Sequence, residues 1–65
     1  MSERWEALAA WIRDFTDEAG GSQFKATTGP DTAVSFDVIG VYVEDGDTDR
    51  TTLYPWHSVI AVEMP

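Results

Sequence analysis

Residues 33–44, Ala-Val-Ser-Phe-Asp-Val-Ile-Gly-Val-Tyr-Val-Glu, carry an apolar pattern that no flat strand satisfies. Val34, Phe36 and Val38 share one parity, whereas Ile39, Val41 and Val43 share the other. Successive side chains on a strand point to opposite faces, so a straight segment would split this set between two environments. A bulge or sharp bend near Val38 to Gly40 would return both halves to one interior, with Gly40 as the residue that permits it. The alternative is a straight strand covered on both faces, by a helix on one side and a partner chain on the other. The bend is the reading adopted, because long strands folded at a glycine are how very small barrels turn corners.

Around that segment the chain divides cleanly by hydrophobic period. Trp5, Leu8, Ile12, Phe15 and Ala19 recur at spacings of three, four or seven, which predicts an amphipathic helix over residues 3–19, with Trp11 widening its apolar stripe. Ser2 is placed to cap it, Glu3 suits the positive end of the helix dipole, and Gly20-Gly21 would stop it. Beyond the glycines the period falls to two. Strands are expected over residues 22–28, 33–44, 50–54 and 58–64, with turns at Thr28-Gly29-Pro30-Asp31, at Asp45-Gly46 and at Pro55-Trp56-His57. The expectation is one α+β domain over residues 1–65, its N-terminal helix packed on a strongly bent four-stranded antiparallel sheet, a small SH3-like or Sm-like barrel.

Size and charge then bound what such a domain can do. A chain of 65 residues buries only about 60% of the surface its unfolded form exposes. It has no cysteine, and with a single histidine it lacks the usual zinc frameworks. Self-association is the reinforcement left to it. Twelve acidic residues oppose four basic ones, for a formal charge of −8. That balance excludes direct nucleic-acid binding by phosphate neutralisation and disfavours an anionic membrane surface. Three readings of the acidity stand: solubility or salt adaptation of a halophilic or viral protein, a surface complementary to a basic protein partner, and mimicry of nucleic acid. No apolar run approaches the roughly 18 residues of a membrane span, and Met1 to Glu6 lacks the pattern of a secretory signal, so a cytoplasmic location is expected.

Chemistry-bearing constellations are few. Asp45, Asp47 and Asp49 have the spacing that opens a calcium loop, but Arg50 stands where its glycine belongs and Trp56 where its bidentate acid belongs. A solvated acidic hairpin is the plainer reading, and no metal or other cofactor is expected. His57 has no nucleophile or acid at a spacing that specifies a triad, because Ser58 beside it points the other way on a strand. No glycine-rich phosphate loop opens a helix. The chain is therefore read as non-enzymatic, with no catalytic residue assigned. Aromatic side chains at a corner are what protein interfaces use as anchors, which makes Trp56, His57, Tyr54 and Tyr42 the candidate interaction residues. Trp56 can equally cap the open end of the core.

The closing segment Pro55-Trp56-His57-Ser58-Val59-Ile60-Ala61-Val62 resembles that of the Sm-like small barrels, in particular the bacterial Hfq type, whose corresponding stretch reads Tyr-Lys-His-Ala-Ile-Ser-Thr-Val. His57 and the apolar alternation match. Pro55 stands in the tyrosine place, Trp56 in the lysine place, and the acidic and amide residues of the family's second and third strands have no counterpart. The resemblance implies a small barrel able to form rings or dimers. It does not bring RNA binding with it, because the basic groups for phosphate contact are missing. The function expected is a small acidic protein-interaction module, self-associating, with a basic protein as partner; the alternative is a nucleic-acid mimic that inhibits a DNA- or RNA-binding protein.

Overall fold

The computed structural model describes residues 3–14 and 21–65, the side chain of Asp14 excepted. Among the described residues seven strands run in the order β1 Trp5–Glu6, β2 Ala9–Asp14, β3 Ser22–Thr27, β4 Thr32–Phe36, β5 Gly40–Asp45, β6 Arg50–Pro55 and β7 Val59–Glu63, with one 3-10 turn, Trp56–Ser58, between the last two. They form two antiparallel sheets, β1-β4-β5-β6 and β3-β2-β7. The expected α+β barrel is thereby corrected. Residues 5–6 and 9–14, expected as helix, are strand; hydrogen bonding does not close into a barrel; and among the described residues no helix is long and apolar enough to cross a membrane. The rest of the expected helix, with Phe15, Ala19 and the stop at Gly20, lies outside the described residues, as does the cap at Ser2.

Tertiary pairing explains the correction. β2 is the central strand of its sheet, bonded to β3 on one side, with Ile12 opposite Phe24, and to β7 on the other, with Ala10 opposite Val62. As a helix, this segment would leave β3 and β7 without their shared neighbour, and buried backbone groups must be paired. Alanine's helical preference is worth under about 1 kcal/mol per residue, which a fully bonded central strand readily outweighs. The small residues have another use. Ala7, Ala9 and Ala10 are all buried and let the strand thread the tight space where it passes from one sheet to the other.

That passage is fastened at Thr28. Its hydroxyl donates to the Ala7 carbonyl (2.8 Å) and accepts from the Val34 amide (3.2 Å), and its own amide donates to the Leu8 carbonyl (2.8 Å). The chain crosses between sheets again at residues 28–31 and at the 3-10 turn. Between the sheets lies one core. Ile12 and Ala26 come from the three-stranded sheet and Val34 and Val41 from the four-stranded one, with Phe24, Phe36, Tyr54 and Val62 packed against them. Ile12 and Val41 are fully buried, each contributing about 1.5–3 kcal/mol.

The parity fault of residues 33–44 is resolved by a hairpin rather than by a bent strand. β4 and β5 pair with Phe36 opposite Val41 and Val34 opposite Val43, so these four face the core while Val38 and Ile39, the remaining members of the two sets, stand exposed in the turn. Residues 37–39 form the turn between them. Gly40 starts β5, and its conformation is not left-handed. Its role is spacing: a Cβ there would run into the backbone carbonyl of Tyr54 on β6.

Candidate interaction site

The turn between β4 and β5 presents Val38 and Ile39, two β-branched residues that ordinarily avoid tight turns. They are 79% and 54% exposed, the first being the most exposed large apolar side chain described. What holds so unfavourable a turn is Asp37. Its amide donates to the Gly40 carbonyl (3.0 Å), closing the hairpin. Its carboxylate turns inward, where Oδ1 accepts from the amides of Ile39 (2.8 Å) and Gly40 (3.3 Å) and Oδ2 accepts the Tyr42 hydroxyl (2.9 Å). An aspartate that hydrogen-bonds the backbone two residues on mimics a turn, and so supplies locally what glycine or asparagine would supply by conformation.

Asp37 is only 3% exposed. Burial pushes its pKa up, but the Ile39 amide, the Tyr42 hydroxyl, the Gly40 amide and the Arg4 charge together outweigh it, holding the carboxyl below its ordinary range. Tyr42 is shifted the opposite way. It donates to Asp37, is partly desolvated, and would become a second anion beside a carboxylate, so its pKa is raised. Arg4 lies 3.7 Å over the Tyr42 ring and reaches Glu44 at 3.3 Å, covering the network from the outer face.

The second arm of the site is the corner after β6. Trp56 donates its indole N–H to the Asp37 carbonyl (3.0 Å), which ties the 3-10 turn to the hairpin tip. Its ring meets Phe36 edge-on at 6.0 Å, and Phe36 in turn meets Trp5 at 5.6 Å. Trp56 and Trp5 remain 40% and 49% exposed. One end of the four-stranded sheet therefore displays Val38, Ile39, Trp56 and Trp5 around a hydrogen-bonded support.

Of the four residues singled out from sequence, Trp56 and Tyr42 converge on Asp37, one through its carbonyl and one through its carboxylate. Tyr54 is turned inward, half-buried, and meets Phe24 of the opposite sheet at 5.6 Å. His57 is exposed on the 3-10 turn beside Trp56. Sequence reasoning missed Asp37, Val38, Ile39 and Trp5. The signal for the first three was present in the parity fault, which fell on the turn itself. Asp45, of the expected acidic hairpin, accepts the Asp47 amide at 3.0 Å and so caps its own turn. Among the described residues no group of three or more histidine or acidic side chains is placed to hold a metal. No protein-family model, curated protein or solved structure matches this chain.

Proposed function

We propose that this chain is a non-enzymatic, cytoplasmic protein-interaction module whose contact is the Val38-Ile39 tip with Trp56 and Trp5 beside it. The observation that carries the reading is a pair of exposed β-branched residues in a turn that a buried aspartate locks. Rigid apolar anchors lose little entropy on binding, and aromatic neighbours are the residues that dominate interface energetics. With a formal charge of −8 on the chain, the partner is a protein with an apolar cleft and a basic rim, which the acidic field steers into contact.

The test is comparative capture from native lysate with wild-type protein and with the Val38→Asn/Ile39→Asn variant, followed by titration of the purified partner. The expected result is a basic protein held by the wild type and bound at least about tenfold more weakly by the variant, which corresponds to about 1.4 kcal/mol. Equal binding by both proteins would overturn the reading.

Mimicry of nucleic acid is the second reading, favoured by Asp31, Glu44, Asp45 and Asp47, whose strand ends and turns lie at one end of the four-stranded sheet. It predicts displacement of DNA from a basic DNA-binding protein by the wild-type chain, and no dependence on Val38 or Ile39.

A further inference from the structure

The outer face of the three-stranded sheet is chemically unlike the rest of this acidic chain. On β2, Ala10 and Ile12 point into the core, so Trp11 and Arg13 point out; on β3, Lys25 stands opposite Trp11 and Gln23 opposite Arg13. Two of the chain's four basic residues thus flank a tryptophan that is 40% exposed. Lys25 lies 5.2 Å over that ring, and its only described ion pair, with Glu63 at 3.8 Å, is between side chains 38% and 54% exposed. Exposed pairs of this kind are worth little and exchange readily for another carboxylate.

The complementary surface is a concavity where two turns meet. The Gly46 amide donates to the Asp31 carbonyl at 2.7 Å, joining the β3–β4 connection to the β5–β6 turn. Beside this bond lies an open notch of about 260 Å³, lined by Pro30, Asp31, Thr32 and Glu44 among others. It offers the Asp31 carboxylate, a proline surface and the Glu44 carboxylate, whose ion pair with Arg4 at 3.3 Å is likewise between exposed side chains, the counterparts of two cations and an indole.

We propose that the chain associates with a second copy of itself head to tail, the Trp11–Arg13–Lys25 face of one copy seating on the Asp31–Glu44 notch of the next. Charge decides the orientation. Packing the face against its own copy across a two-fold axis would set Arg13 and Lys25 against their equivalents, and notch against notch would do the same with carboxylates. Head to tail is the arrangement that pairs opposite signs while each copy keeps its formal charge of −8. At about 0.15 M salt the Debye length is about 8 Å, so long-range repulsion is damped while contact pairs survive. The association uses neither Val38 nor Ile39 and stands apart from the tip contact.

A heterologous contact makes a decisive mixing experiment available. Arg13→Ser/Lys25→Ser removes the basic face and leaves the notch; Asp31→Lys/Glu44→Gln removes the notch and leaves the face. All four positions are exposed, so each variant is expected to keep the fold, which near-ultraviolet circular dichroism checks. Sedimentation velocity at about 0.15 M salt is expected to show wild-type species growing past the dimer with concentration. Each variant alone should associate at least about tenfold more weakly, and an equimolar mixture should form a one-to-one heterodimer and nothing larger. A monomeric wild type at the highest attainable concentration would overturn the proposal. So would variants that associate like wild type, or a mixture that stays monomeric.

Discussion

Replacing Gly40 by alanine tests the packing that supports the tip. Gly40 does not need glycine's left-handed conformation, so an alanine there is free of backbone strain and gains about 0.4–1 kcal/mol by restricting the unfolded chain. Against this, its methyl group would overlap the Tyr54 carbonyl and touch the Pro55 Cα at 3.0 Å. Both obstacles are backbone, which cannot swing aside as a flexible side chain does, so β5 and β6 must separate where Gly40 pairs with Pro55. Overpacking of this kind costs about 1–3 kcal/mol. The steric cost wins, leaving a net loss of about 1–2 kcal/mol from a domain whose whole stability is on the order of 3–10 kcal/mol. At about 4–8 °C per kcal/mol for a chain of this size, the thermal midpoint should fall by about 5–15 °C. Tryptophan fluorescence follows it directly, because Trp56 hangs from the same turn. An alanine variant as stable as wild type, or more stable, would refute the close approach of β5 and β6.

Other outcomes follow from the same structure. Val38→Asn/Ile39→Asn should leave the thermal midpoint within the range of ordinary surface changes, about 0.5 kcal/mol, while abolishing partner capture; a cooperative loss of structure would mean that the tip belongs to the core. Thr28→Val removes a hydroxyl that bridges the Ala7 carbonyl and the Val34 amide, and should cost about 1–3 kcal/mol in denaturant titration with an unchanged slope. The Asp37 carboxyl is held below its ordinary range when folded, so its contribution is complete above the unfolded value of about 3.9 and is lost as pH falls through and below it. Acid unfolding should therefore be shallower in Asp37→Asn. Tyr42 is raised when folded, so its contribution is present below about pH 10 and lost at higher pH, an alkaline limb that Tyr42→Phe should remove.

Strands β3, β6 and β7 were readable because alternation reports a half-buried sheet residue by residue, whereas the single bent strand expected over 33–44 is two strands, β4 and β5. β3, Ser22–Thr27, falls within the stretch expected from it, and the fault in residues 33–44 marked the place where the chain reverses. A bend was read there instead of a turn because Val38 and Ile39 are poor turn residues by composition. The compensating bonds of Asp37 exist only once the hairpin has formed. The N-terminal segment was misread for a related reason. Trp5, Leu8 and Ile12 satisfy a helical spacing, whereas the facts that make residues 9–14 a strand lie in distant segments, β3 and β7, that pair with it on both sides. Trp56 and Tyr42 were found as aromatic residues near a corner. Their meeting at Asp37 belongs to tertiary structure and leaves no local trace.

Amide hydrogen exchange at Ile39 and Gly40 puts the locked tip to its most direct trial. In wild-type protein near neutral pH both amides should exchange slowly, and Asp37→Ala should release them while Ala10 and Ile12, in the central strand, stay protected. Free exchange of Ile39 and Gly40 in the wild type would show a tip that nothing holds in place, and the anchoring role assigned to Val38 and Ile39 would fall with it.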